Sequence, residues 1–289
     1  VKEGSIGFGA YNFDSGVRWN VDGWIGGTNC PTIIVLKYPK KVNYLAIYTA
    51  CPQWGDITGC DDLEWLCGPI VTGDITNMIN MYYLSANYAI VNAITGSVTG
   101  HTKLGLISLE NNNNLSGVLS SSSLYYLYIK GNNTININVT NHTNLKWLQP
   151  HGGAIATGNI EGLTLLETLN EGVGTTITGS IAGLTNLRYC YMAYSSGVTY
   201  PNVTNLKGLC LLVISFNYVI SSENVNQLLA DFWANKDEAK PITNRVIHLS
   251  GKAGSGAPTG QGITDKTALQ AYRSPNNDGQ YSVWTVTTR

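Results

Sequence analysis

Apolar residues recur along this chain in one short phrase. Leu187-Arg-Tyr-Cys-Tyr-Met192 carries them at its first, fourth and sixth positions, and polar or aromatic residues between. The first position of the phrase falls at Val42, Leu63, Met81, Leu104, Leu124, Leu145, Leu166, Leu187 and Leu209, with successive steps of 21, 18, 23, 20, 21, 21, 21 and 22 residues. Alternate side chains of a strand point to opposite faces. The fourth and sixth positions therefore share one face, and the first joins them where the chain bends in. One such strand cannot bury its apolar side alone, whereas stacked copies bury it between neighbours. The pattern predicts a β-rich repeat solenoid of about nine rungs over residues 41–222.

The flanking segments break the period. Residues 1–40 are rich in glycine, aromatic residues and turn signals such as Asp14-Ser-Gly16, and read as an N-terminal β-type cap or a docking segment, with Ile33-Ile-Val-Leu36 as a first inner strand. Residues 223–289 read as longer C-terminal rungs and a cap with two short helices. Val225, Leu228, Leu229, Phe232 and Trp233 have helical spacing behind Ser222 as N-cap candidate, and Asp265 to Tyr272 is the second helix. Val246-Ile-His-Leu249 and Tyr281-Ser-Val-Trp284-Thr-Val286 repeat the strand phrase, at steps of 37 and 35 residues from Leu209. The last of them is expected to leave an edge strand near Val286.

The phrase resembles the repeat of leucine-rich repeat proteins, over roughly residues 42–217. Asn112, Asn132 and Asn217 follow their strands as the asparagine of that family does, and the resemblance implies that they bond backbone groups at the turn. Asn114-Leu-Ser-Gly-Val-Leu119, Ile94-Thr-Gly-Ser-Val98 and Ile177-Thr-Gly-Ser-Ile181 are similar to the connecting segment of the short, helix-poor members. Several rungs lack the asparagine, and Cys190, Met81 and Val42 stand where leucine is usual. The implied fold is a leucine-rich-repeat-like horseshoe or rod. Gly256-Ala-Pro-Thr-Gly-Gln-Gly262 with Asp265-Lys-Thr-Ala-Leu269 resembles C-terminal repeats of such proteins from bacteria and their bacteriophages, which implies a bacterial or phage surface protein.

Composition narrows the function classes. Charged residues are only 12% and the formal net charge is -1, so a nucleic-acid partner gains no electrostatic support. A hydrophobic share of 43% excludes a disordered chain. No apolar run is long enough to span a bilayer. The chain opens at Val1 without an initiator Met or a signal core, which fits either a processed chain or a missing beginning. Cys30, Cys51, Cys60 and Cys67 lie close together in sequence, either as disulfides of a secreted cap or as free thiols filling apolar sites; Cys190 is an inward rung position. Their spacing lacks a zinc pattern.

Candidate chemistry is sparse. The loop Gly251 to Gly260 lacks both phosphate-loop signatures, and Pro258 removes a backbone donor. His101, His142 and His151 fall in turns and His248 on an outward strand slot, so all four are expected at the surface. Asp56, Asp61 and Asp62 lack a calcium-loop pattern. A glycan hydrolase needs two carboxylates roughly 5–10 Å apart, and Glu167, Glu171 and Glu64 form no convincing pair. The sequons at Asn114, Asn132, Asn138, Asn141 and Asn202 fit chance occurrence in a chain rich in Asn and Thr. No cofactor, no metal and no catalytic residue is expected.

The sharper feature is the set of outward strand slots. Tyr44, Trp65, Tyr83, Tyr126, Tyr128, Trp147, Tyr189 and Tyr191 occupy third and fifth positions of the phrase, with Gln149, Arg188 and Lys146 as polar neighbours. Such a row either packs across rungs to stabilise the sheet or forms a recognition face, since Tyr and Trp combine apolar area with a polar handle. The expectation is a non-enzymatic binding module, its concave aromatic face recognising a protein or glycan on a cell surface. It would be extracellular, on a cell surface or a virion: a phage receptor-binding or tail-fibre component, or a bacterial adhesin. The alternative is a structural subunit of a virion, filament or surface layer that assembles through residues 1–40 or the C-terminal edge.

Overall fold

The computed structural model describes residues 9–13, 16–21, 42–47, 57–67, 72–86, 94–110, 114–131, 134–151, 155–172, 175–192, 198–199, 203–215, 220–236, 244–251, 255–275 and 281–288. Cys30, Cys51, Asp56, Asn112, Asn132, Asn217 and the expected strand at 33–36 lie outside these residues. The chain forms two compact units, Val1–Asn138 with Pro150–Ile155, and Val139–Gln149 with Ala156–Arg289.

The strands of the first unit are β1 (Gly9–Phe13), β2 (Gly16–Val21), β3 (Val42–Ile47), β4 (Trp65–Cys67), β5 (Gly73–Asp74), β6 (Tyr83–Ala86), β7 (Ile94–Ser97), β8 (Leu106–Glu110), β9 (Asn114–Leu119), β10 (Tyr126–Lys130) and β11 (Thr134–Asn138). After an antiparallel β1–β2 pair, β2, β3, β4, β6, β8 and β10 stack in parallel. A second parallel sheet is formed by β5, β7, β9 and β11. The second unit repeats the plan with β12 (Trp147–Pro150), β13 (Ile155–Asn159), β14 (Thr168–Asn170), β15 (Thr176–Ser180), β16 (Tyr189–Met192), β17 (Val198–Thr199), β18 (Leu211–Ser215), β19 (Asn244–Gly251), β20 (Arg273–Pro275) and β21 (Tyr281–Thr288). There β12, β14, β16, β18, β19 and β21 pair in parallel, and so do β13, β15 and β17. Each unit is a parallel β-solenoid, leucine-rich-repeat-like in its rung.

The interior is built from the repeated phrase. Leu63, Met81, Leu104 and Leu124 in the first unit, and Leu145, Leu166, Leu187 and Leu209 in the second, are fully buried at the phrase's first position. An earlier column sits in the turn before each strand. Cys60, Met78, His101 and Ser121 form it in the first unit, and His142, Leu163, Leu184 and Leu206 in the second; all are buried. Paired three-residue turns place this column, as in Met78 N to Ile75 O (2.9 Å) and Met81 N to Met78 O (3.0 Å), repeated at Leu184 and Leu187. His101 and His142 are thus core residues, against the surface placement expected of them, because the turn column that holds them is invisible in a loop reading. His101 Nε2–H donates to Ile75 O at 3.1 Å.

The second sheet is held by a polar ladder. Asp74 Oδ1 accepts from Thr76 N at 2.7 Å, Ser97 Oγ from Thr99 N at 3.1 Å, and in the other unit Asn159 Oδ1 from Glu161 N at 2.7 Å. The residue two further on then accepts from the next rung: Thr76 Oγ1 from Ser97 N at 3.1 Å, Thr99 Oγ1 from Val118 N at 2.9 Å. The hydrogen bond from the Thr76 hydroxyl, then that from Thr76 N, hold the Asp74 carboxyl below its ordinary value. Gly117 has φ +108°, and a Cβ there would run into Ser97 Oγ and Thr99 Oγ1.

Helix α1 (Ser222–Ala234) follows the last short rung. Its N-cap is Ser221, one residue before the expected Ser222, and Ser221 Oγ accepts from Asn224 N at 3.1 Å. Val225, Leu228, Leu229 and Phe232 are its buried face. Helix α2 (Gln261–Ala271) starts four residues ahead of the expected Asp265, because Gly260 at φ +48° turns the chain into it. The last rungs also differ from the expected register. Leu212 pairs with Ile247 and Ile247 with Val286, giving steps of 35 and 39 residues. Ile247 and Leu249, not Val246, point inward. The edge near Val286 is partly closed: β20 pairs antiparallel with Tyr281–Val283, and Gln270 Nε2 donates to Val286 O at 3.1 Å.

Candidate functional site

The parallel register sets the outward slots in columns. In the first unit Tyr44, Trp65, Tyr83, Leu106 and Tyr126 are successive register partners. Tyr128 stands two residues further along β10, opposite Ser108. Of Tyr44 only the strand position is described. Trp65 and Tyr83 stack face to face, with ring centroids 3.7 Å apart and planes 6° off parallel. Burial first, then the phenols of Tyr128 and Tyr83, raise the Tyr126 pKa above its ordinary value. Trp65, Tyr83, Tyr126 and Tyr128 are half-buried. Stacking of this kind adds about 0.5–1.5 kcal/mol beyond area burial, so the column stabilises the sheet as well as presenting it.

In the second unit Trp147, Thr168, Tyr189 and Leu211 are successive partners, and Asn170, Tyr191 and Val213 form the column beside them. Trp147 Nε1 donates to Gln149 Oε1 at 3.1 Å, so Gln149 fixes the indole. Thr168 is buried between Trp147 and Tyr189, and Tyr189 is exposed. Arg188 and Lys146 lie off these columns. They precede their strands and sit with Glu167 on the flank: Glu167 N donates to Lys146 O at 2.8 Å, and Arg188 N to Glu167 O at 2.9 Å.

Sequence reasoning missed three members of the first unit's surface. Leu106 fills the aromatic column's gap, and its leucine type hid its outward slot. Tyr82 and Tyr125 precede their strands by one residue, where strand alternation gives no guidance. Gly105 lies between them, and a Cβ on it would be 2.8 Å from Tyr82 and 3.0 Å from Tyr125. Burial and a hydrogen bond to the Tyr82 hydroxyl push the Tyr125 phenol up to about 12.

The remaining polar groups are absorbed by the fold. Glu171 takes the sixth, inward position of its phrase and is fully buried, while Glu167 is exposed on the flank, so the two carboxylates point apart. Cys67, Cys190 and Cys210 are free thiols. Burial pushes Cys190 well above the ordinary thiol value, with Glu171 adding to it. No group of three or more His, Cys, Asp or Glu side chains is arranged to hold a metal among the described residues. The glycine-rich loop is a strap on α1. Gly256 N donates to Ile220 O at 2.7 Å, and Asn226 exchanges two bonds with Thr259, Oδ1 from Thr259 N and Nδ2 to Thr259 Oγ1, both 3.0 Å. No described helix is long and apolar enough to cross a membrane.

No family model matches the chain. No curated protein matches it. Among solved structures it is similar to an internalin (inlF) from Listeria monocytogenes str. 4b F2365, at 14% identity over 81% of this chain and 75% of that one, with a TM-score of 0.44. The register and the buried columns make each unit a leucine-rich-repeat-like solenoid on their own terms.

Proposed function

We propose that this chain is a non-enzymatic binding module that uses the outward aromatic slots of its first sheet to recognise a protein or glycan on a cell surface. The observation that carries the reading is the register: it lines up Trp65, Tyr83 and Tyr126 in one unit, and sets Trp147 and Tyr189 on either side of Thr168 in the other. Tyr and Trp bury large areas at low entropic cost and can still hydrogen-bond. We read Tyr44, Trp65, Tyr83, Tyr126, Tyr128, Trp147, Gln149, Tyr189 and Tyr191 as contact residues and Arg188 as a flanking polar contact. Residues 223–289 are read as the cap of the solenoid. A phage receptor-binding or tail-fibre component is the specific setting favoured, and a bacterial surface adhesin the next. Assembly through the C-terminal edge has less support, since β20 and Gln270 occupy part of it.

The test is binding of the labelled full chain to bacterial cells by flow cytometry, alongside a glycan array. Joint replacement of Tyr126, Trp147 and Tyr189 by Ala should abolish cell binding while the circular-dichroism spectrum stays that of the parent and the melt stays cooperative, at a lower midpoint. Undiminished binding by a folded triple variant would sink the proposal.

A further inference from the structure

A second surface lies around the corner from the aromatic column of the first unit. Ile79 and Tyr82 are 54% and 43% exposed, although both are large and apolar in body. Neither occupies an outward strand slot. Ile79 follows the turn residue Met78, and Tyr82 precedes β6. Tyr82 N donates to Glu64 O at 2.7 Å, Gly105 N to Tyr82 O at 2.8 Å, and Tyr125 N to Gly105 O at 2.8 Å. These bonds make one flank column: Glu64, Tyr82, Gly105, Tyr125.

The column is built rather than incidental. The rings of Tyr82 and Tyr125 close over Gly105, where a Cβ would fall 2.8 and 3.0 Å from them. The Tyr82 hydroxyl lies near enough to the Tyr125 phenol to raise its pKa. The Trp65 ring packs against Tyr82 at 5.9 Å, tilted by 40°, so the arch continues the sheet-face aromatics. A surface held in one shape before contact loses little side-chain entropy on binding.

Its charge is one-sided at the near end. Asp61 and Asp62 occupy, one rung earlier, the turn positions of Ile79 and Asn80, and Glu64 opens the column. Asp62 and Glu64 are exposed and Asp61 half-buried, and none of the three forms an ion pair with a described residue. Lys103, one rung beyond Asn80, is tied to Asn80 Oδ1 at 2.7 Å and ends the acidic stretch. An exposed apolar knob one rung from carboxylates that no described cation pairs with complements a basic side chain next to an apolar one. Sugar rings, in contrast, dock on open aromatic faces. Trp65 gives one face to Tyr83 at 3.7 Å, and Tyr82 crowds it as well.

We propose that this flank, with Glu64, Ile79, Tyr82 and Tyr125 at its centre, docks a protein partner that presents a lysine or arginine beside an apolar side chain. The proposal rests on the reading of the chain as a binding module and names the partner's chemistry. The probe is a displayed library of random dodecapeptides panned on the full chain, followed by anisotropy titration of the selected peptide. The expected consensus pairs a basic with an apolar residue. Its affinity should fall at least tenfold in Tyr82→Ala and in the double variant Asp62→Lys, Glu64→Lys. It should weaken with added salt in the parent, and stay within twofold in Val118→Ser, a change on the other sheet. All four substitutions are at exposed positions, and melting profiles check that the variants fold. A consensus without a basic residue, or unchanged affinity in both flank variants, overturns the flank. Selected peptides that lose binding with Tyr126→Ala and keep it in both flank variants overturn the flank alone and leave the sheet-face reading standing. Glycan binding with no peptide enrichment does the same. Neither peptide enrichment nor glycan binding overturns both.

Discussion

Asp231 on α1 reaches into the turn that opens the preceding rung. Its buried carboxylate accepts from Val203 N at 3.0 Å, from Thr204 Oγ1 at 2.9 Å and from Gln227 Nε2 at 2.8 Å. Replacing it by Ala affects these three donors unequally. Val203 is buried, so its N–H is left without an acceptor, at a cost of about 1–3 kcal/mol. Thr204 and Gln227 are exposed and turn to water, which adds only about 0.5 kcal/mol in all. The sum is about 1.5–3.5 kcal/mol for Asp231→Ala. Asp231→Asn keeps one carbonyl oxygen for Val203 N–H, and the Thr204 hydroxyl can turn to accept from the new amide, so about 1 kcal/mol is expected. Native-state hydrogen exchange at the Val203 amide reads the difference directly, because local opening governs it. Asp231→Ala should speed that exchange about 10- to 300-fold, Asp231→Asn far less, with amides of the first unit unchanged. Equal and small effects of the two substitutions would refute the assignment of Asp231 as the acceptor that holds α1 to this turn.

Three further outcomes follow from the core and the ladder. Burial holds the His101 imidazole below its ordinary value; the unfolded chain then takes up the proton first as pH falls through about 6.5. Stability should therefore drop below that pH, and the drop should shrink in His101→Met, measured as urea midpoints at several pH values. Gly117→Ala meets both a φ of +108° and the Ser97 and Thr99 hydroxyls, whereas Gly100 at φ +89° has nothing within 4 Å. Gly117→Ala should cost about 2–4 kcal/mol and Gly100→Ala about 1–2 kcal/mol in urea unfolding; equal costs would remove the close approach from the account. Burial pushes the fully buried Cys190 thiol well up; it raises the half-buried Cys67 thiol as well, but there a hydrogen bond with Ser85 opposes it, so accessibility favours Cys67. Peptide mass mapping after mild alkylation should find Cys67 modified and Cys190 untouched until the chain is unfolded.

The period was legible in the sequence because it is a property of one dimension. Leu104, Leu124 and Leu166 announce their burial by spacing alone, and the outward slots of Trp65, Tyr83, Tyr126 and Tyr189 follow from strand alternation. So does the apolar face of α1, where Val225, Leu228, Leu229 and Phe232 are separated by three, one and three residues. What spacing cannot give is the identity of a neighbour across rungs. His101 and His142 read as loop residues until the turn column formed by Met78, Leu163 and Leu184 shows that their positions point inward. Glu171 sits at an inward slot by the rule, and only the packed core puts it beside Cys190. The start of α2 depended on the backbone angle of Gly260, and the register of β19 and β21 on which residues met β18 after long insertions.

For the candidate surfaces the division is the same. Residue type and period determined that this chain stacks strands, that aromatics occupy their outward slots, and that no motif of known chemistry runs along it. Tertiary structure decided that Trp65 spends a face on Tyr83, that Tyr82 and Tyr125 meet over Gly105, and that Tyr82 is hydrogen-bonded to the backbone of Glu64 one rung earlier. The reason is physical. Alternation within a strand is fixed by local backbone geometry, which each residue carries with it, whereas contact between rungs is set by hydrogen bonds between residues about twenty positions apart, and no local preference encodes those.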